Sequence, residues 1–133
     1  MSEVYIDTSV LLPLLSMTDV DHSAAAGAVG HAKARGYAFV TTSYTIVEAT
    51  ALVRSRLGME YVRRLGDAVD AFEGIIWVDE ALHRRAWSEA AKAGRNGPSL
   101  VDWVGFLVMR NRGIDTALAI DGHFNDQGFK TLP

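Results

Sequence analysis

Short apolar runs and longer helical stretches alternate along the whole chain. Val4-Tyr5-Ile6 runs directly into Asp7, Thr8 and Ser9, a pattern that predicts a fully buried strand ending at Asp7. A helix is expected next, through Val10, Leu11, Leu12 and Leu15, with Pro13 placed near its first turn. A second helix, rich in alanine, is predicted from His22 to Arg35 and stops at Gly36. Tyr37 to Thr41 reads as the second strand, and Thr42 and Ser43 offer a cap for a helix reaching Leu57. Val62, Leu65, Val69 and Phe72 recur at helical spacing and define one face of a helix from Met59 to Phe72. Ile75 to Val78 is the third predicted strand, followed by a helix from Ala81 to Ala93 and a loop from Arg95 to Pro98. Ser99 caps the most apolar helix, Leu100 to Arg112. Thr116 to Ile120 is the fourth strand, His123 to Asp126 a helical turn, and Phe129 to Leu132 a last strand. Strands that alternate with helices in this way predict an α/β fold with a parallel sheet covered by helices on both faces.

Composition narrows the class. The 133 residues suit one domain, residues 1–133, and at 49% hydrophobic and 22% charged the chain can build a core. There is no cysteine, which excludes a disulfide framework and a zinc–thiolate site and suits a cytoplasmic, reducing compartment. The first residues lack a basic segment followed by an apolar one, and the apolar runs carry charges too often for a membrane span. A net charge of −3 leaves nucleic-acid binding to local patches rather than to the total.

The candidate chemistry is acidic. Asp7 and Asp121 each follow a strand, whereas Glu48 and Asp102 lie in or near the first turns of helices. Each has a structural reading on its own: Asp7 and Asp121 as caps, Thr45-x-x-Glu48 and Ser99-x-x-Asp102 as capping boxes. Asp102 is the sharpest case, because the helix around it is apolar nearly all round and a buried carboxylate needs a partner or a metal. In a parallel α/β sheet, strand C-termini and the following helix N-termini share one edge. Four carboxylates gathered there would repel one another unless a cation lay between them, and oxygen-only ligands suit a hard ion, Mg²⁺ or Mn²⁺. Ions of that kind support phosphodiester hydrolysis.

Taken in order, Asp7-Thr8-Ser9 after a strand, Glu48 in a helix, Ser99-x-x-Asp102 opening an apolar helix, and Asp121-Gly122-His123-Phe124 resemble the PIN-domain family, and within it the VapC-type toxins. The resemblance spans essentially the whole chain. It implies a three-layer α/β/α fold with strand order 3-2-1-4-5 and a Mg²⁺-dependent endoribonuclease, with Mn²⁺ as a substitute ion. It also implies an RNA substrate, a homodimer and a small cognate antitoxin. By position, Asp7, Asp102 and Asp121 would hold the metal, Glu48 would bind metal or orient the attacking water, and Thr8, Ser9 and Ser99 would support the acids. Two positions depart from the family's pattern: Ala119 stands where a Thr or Ser is common, and His123 where a further aspartate is common. Both bear on a second metal position.

Other residues admit two readings. Arg54, Arg56, Arg63 and Arg64 either grip an RNA backbone or form a solvated face. His22, His31, His83 and His123 show no metal-ligand pairing, and Trp77 and Trp103 are expected in the core. Three functional alternatives remain open at this stage. They are a phosphatase with Asp7 as nucleophile, a catalytically silent interaction domain, and an RNA-maintenance nuclease outside any toxin–antitoxin pair.

Overall fold

In the computed structural model, which describes residues 2–133, every side chain of Val4-Tyr5-Ile6 is buried. Successive strand residues face opposite sides of a sheet, so a strand buried at every position must have layers on both sides. β1 (Glu3–Ile6) accordingly sits at the centre of a five-stranded parallel sheet. β2 (Ala38–Thr42) and β3 (Gly74–Ile76) lie to one side of it, β4 (Thr116–Leu118) and β5 (Lys130–Leu132) to the other, in the order β3-β2-β1-β4-β5. This is the strand order the resemblance implies.

The helices divide between the two faces. Val4, Ile6 and Phe39 pack against α1 (Thr8–Leu15), α2 (His22–Ala34), α3 (Ser43–Arg56) and α4 (Met59–Asp70). Tyr5 and Val40 point the other way, onto Phe106 and Met109 of α6 (Leu100–Arg112) and Phe124 of α7 (His123–Asp126). Ala86 of α5 (Glu80–Ala93) packs on Val104, Leu107 and Val108 of α6. Helix α6 therefore lies between the sheet and α5, which explains why the whole run from Val104 to Met109 is buried. Pro13 falls in the second turn of α1 rather than the first. It has no N–H to return to Ser9, and the helix ends two residues later.

One expectation is corrected at the sheet edge. β3 stops at Ile76, two residues before the predicted end, because Val78 N–H leaves the ladder and donates to Ser43 Oγ at 3.0 Å. Trp77 is thereby turned out of the core and is 74% exposed. β3 pairs only with β2, so nothing on its outer edge holds it in line.

Helix α6 approaches β1 closely at one glycine. A Cβ on Gly105 would lie 3.1–3.2 Å from three atoms of the Tyr5 ring. Tyr5 has no room to yield: it is fully buried and its hydroxyl bonds Thr45 Oγ1 at 2.9 Å and Thr42 Oγ1 at 3.3 Å. Gly105 thus sets the distance between β1, which leads into Asp7, and α6, which carries Asp102 one turn earlier. We predict that Gly105→Ala lowers stability by about 1–2 kcal/mol by overpacking, despite the better helix propensity of alanine. Chemical denaturation checks this; an unchanged or raised midpoint would refute the tight contact.

Candidate metal centre

Two strands, two helix starts and two serines build the site. The chain leaves β1 at Asp7, whose N–H still donates to Leu118 O on β4 at 2.9 Å. The Asp7 carboxylate caps α1: its Oδ2 accepts Ser9 N–H at 3.1 Å and the Ser9 hydroxyl at 2.7 Å. The same Ser9 oxygen accepts Ile120 N–H at 2.9 Å. One hydroxyl therefore orients Asp7 and ties the start of α1 to the end of β4, just before Asp121.

Asp102 is held by a reciprocal capping box. Ser99 Oγ accepts Asp102 N–H at 3.1 Å, and Asp102 Oδ2 accepts Ser99 N–H at 2.9 Å. Asp121 Oδ1 accepts His123 N–H at 3.1 Å as the chain turns into α7. With each backbone anchored in this way, Asp7, Asp102 and Asp121 each bring a carboxylate oxygen within 4.8 Å of the others.

The cluster carries negative charge without a protein counter-ion. Among the described residues no lysine or arginine forms a salt bridge with any of the three. Asp7 is 3% exposed, and burial pushes its pKa up from 3.8 to about 7. The Ser9 bonds oppose that rise, and the charges of Asp121 and Asp102 add to it. Burial also raises Asp102, offset in part by the Ser99 bond and by the nearby His123. Three converging oxygen donors without a cation are a chemically suitable set for a hard divalent ion.

The remaining sequence candidates are placed differently. Glu48 is not one of the three clustered acids. It lies half-buried on α3, facing a groove with Leu100 and Val101. The Thr45–Glu48 capping box does not form, because the N-cap of α3 is Thr42, which accepts Thr45 N–H at 3.2 Å. Thr45 instead bonds Tyr5. Thr8 is buried with a hydroxyl that makes no hydrogen bond. Ala119 is packed in the core beside Phe106 and Phe124, and Trp103 is partly buried there with its indole N–H unpaired. Arg54, Arg56, Arg63 and Arg64 are all exposed, Arg64 on Glu60 at 2.9 Å. Sequence reasoning did not single out Gly105 or the Ser9–Ile120 tie. An isolated glycine inside an otherwise apolar helix was the available signal for the first; the second joins residues with no local relation.

No protein-family model matches the sequence, and no curated protein matches it. A solved structure does. Mycobacterium tuberculosis VapC20, a Sarcin-Ricin loop cleaving toxin, superposes with a TM-score of 0.83 at 25% identity over 96% of both chains. The chain has a PIN-like fold. VapC20 is a PIN-domain toxin.

The raised Asp7 pKa has a direct consequence for stability. The unfolded chain releases the Asp7 proton near pH 3.8 and the folded chain near pH 7. Between those values the folded state holds more protons, so this group's contribution falls as pH rises through the window. We predict that Asp7→Asn, which keeps an acceptor for Ser9, raises the metal-free melting temperature above about pH 7 and flattens its fall between about pH 5 and 8. Calorimetry across that range is the check; a lower melting temperature at high pH would contradict it.

Proposed function

We propose that this chain is a metal-dependent endoribonuclease of the PIN-domain family that hydrolyses RNA phosphodiester bonds. We propose further that it serves as the VapC-type toxin of a type II toxin–antitoxin pair. The observation that carries the reading is the convergence of Asp7, Asp102 and Asp121 without a protein cation, at the edge of a PIN-like fold. The ion is Mg²⁺, with Mn²⁺ as a substitute; both suit an all-oxygen donor set. When bound, it supplies charge neutralisation at the phosphate and a more acidic water.

The chain's own residues do the rest. Asp7, Asp102 and Asp121 hold the ion. Ser9 keeps Asp7 in one orientation, and Ser99 does the same for Asp102 through its backbone N–H. Glu48 acts from α3 as an outer carboxylate that orients water or substrate. Thr8 lies beside Asp7 with a free hydroxyl and supports the same edge. His123, close to Asp102, contacts a substrate phosphate in place of the family's further aspartate. Looped or single-stranded RNA is the substrate form whose backbone is most accessible to such an edge. The toxin role brings with it a small cognate antitoxin, a homodimer and a cytoplasmic location. Among the described residues no helix is long and apolar enough to cross a membrane.

Three experiments test the reading. A silent interaction domain predicts no response to metal. We instead expect Mn²⁺ at about 100 times its dissociation constant to stabilise the fold by roughly 2.7 kcal/mol, and Asp7→Asn or Asp102→Asn to remove that effect. RNA cleavage should stop with EDTA, return with Mg²⁺ or Mn²⁺, and fall roughly 100-fold or more in Asp102→Asn. Full cleavage by Asp102→Asn would end the proposal. Ser9→Ala is expected to fold, since Asp7 still accepts Ser9 N–H, yet to bind Mn²⁺ about 10- to 100-fold more weakly. Titration with Mn²⁺ measures it.

A further inference from the structure

The start of α1 borders a pocket that the three clustered acids do not explain. It measures about 210 Å³, and its walls include Thr8 and Ser9 of α1, Asp19 and Asp21 of the turn into α2, and Leu52 and Arg56 of α3. Ser9 belongs to this wall and to the metal centre at once, since its hydroxyl lies 2.7 Å from Asp7 Oδ2. The pocket therefore begins one side chain away from Asp7. Thr8, in the same wall, is 6% exposed and its hydroxyl makes no hydrogen bond.

The charged groups of the pocket have no structural task. Asp21 stands at the N-cap of α2, where an aspartate ordinarily accepts a backbone N–H, yet its carboxylate caps nothing. Asp19 Oδ1 accepts Asp21 N–H at 2.8 Å, which holds the turn with both acids half-buried. Arg56, the last residue of α3, is exposed and forms no ion pair among the described residues. Arg56 and Asp21 thus share a pocket without pairing. The space between them suits a ligand that offers an anion to one and a hydrogen-bond donor to the other.

We propose that this pocket is the subsite for the ribonucleotide next to the scissile phosphate, with Arg56 on its own phosphate and Asp21 accepting its ribose 2′-hydroxyl. The guanidinium fork matches phosphate oxygens, and a carboxylate only accepts, so the pair reads an anion and a donor on one ligand. A ribonucleotide carries both; a deoxyribonucleotide keeps the phosphate and lacks the donor. Asp21 is then the residue through which the chain prefers RNA to DNA. Asp7, Asp102 and Asp121 cannot supply that preference, because the phosphodiester they act on is common to both. Arg54, Arg63 and Arg64 line no part of the pocket, so Arg56 alone of the four arginines takes this role. The link through Ser9 to Asp7 favours nucleic acid as the occupant, and the proposal rests on the nuclease reading for the class of its ligand.

The test uses the full chain carrying Asp102→Asn, in EDTA, so that RNA is bound and not cut. The probes are a fluorescein-labelled single-stranded oligoribonucleotide of random sequence and the same oligonucleotide with every 2′-hydroxyl replaced by hydrogen. The Asp102→Asn chain should prefer the ribo probe by roughly ten-fold. Asp21→Ala should melt with its parent, since that carboxylate caps nothing, and should remove the preference by weakening the ribo probe alone. Its loss and the loss from removing the hydroxyls should not add, as expected of a direct contact. Arg56→Ala should weaken both probes alike and lower the slope of log affinity against log salt by about 0.7, with Arg56→Lys restoring the slope. Equal affinity of the Asp102→Asn chain for the two probes would overturn the proposal. So would tighter ribo binding by Asp21→Ala, which would mean that its carboxylate only repels the backbone, or an unchanged salt slope in Arg56→Ala. Hydrolysis of bis(p-nitrophenyl) phosphate by the unaltered chain with Mn²⁺ decides the nuclease reading separately: its failure would remove that reading, while the two probes still decide the pocket.

Discussion

Three carboxylates that repel one another are held within 4.8 Å at one edge of the sheet, with no lysine or arginine paired to them. Everything else in the structure either enforces that crowding or answers it. Folding a chain so that like charges converge costs stability. Burial above all, with the charges of Asp121 and Asp102 adding to it, keeps the Asp7 carboxyl from ionising until about pH 7. A neutral Asp7 in the metal-free protein and an ionised one around a cation are two ways of relieving the same burial and repulsion. A site of this kind is a local weakness in the fold that becomes a strength when an ion enters.

The crowding is enforced by backbone, not by side-chain attraction. Asp7 and Asp121 follow neighbouring strands of a parallel sheet, so their positions are set by the β1–β4 ladder. Ser9 reinforces that ladder by bonding both the Asp7 carboxylate and Ile120 N–H. Asp102 arrives from outside the sheet on α6, and its place depends on how near α6 can come. Gly105 against the Tyr5 ring sets that approach. Tyr5 is in turn pinned by Thr45 of α3, the residue whose spacing to Glu48 suggested a capping box. The core contact and the site are therefore one construction, and a methyl group at Gly105 is felt by both.

Similarity to VapC20 over 96% of each chain, at 25% identity, shows how little of the sequence the fold needs. What the fold requires is the pattern: buried strands, helices of matching length, and residues that start and stop them. A shared fold does not by itself transmit an activity. The functional argument therefore rests on the acids and on the serines that orient them.

The order of strands and helices was legible in the sequence because hydrophobic period and the helix caps are local properties. The Ser99–Asp102 capping box and the Asp7 cap were legible for the same reason, and the spacing alone placed both acids at helix starts. Tertiary contacts decided what no local rule reports. Thr42 rather than Thr45 caps α3, because Thr45 is drawn to the Tyr5 hydroxyl across the core. Trp77 faces solvent, because Ser43 draws the chain off the edge of the sheet at Val78. Three acids rather than four meet, because Glu48 faces the groove beside Leu100 and Val101. The sequence by itself determined which residues carry charge and which elements they start or end. Only the packing of α3 and α6 against the sheet determined which of those charges share a space, since that depends on distances between residues far apart along the chain.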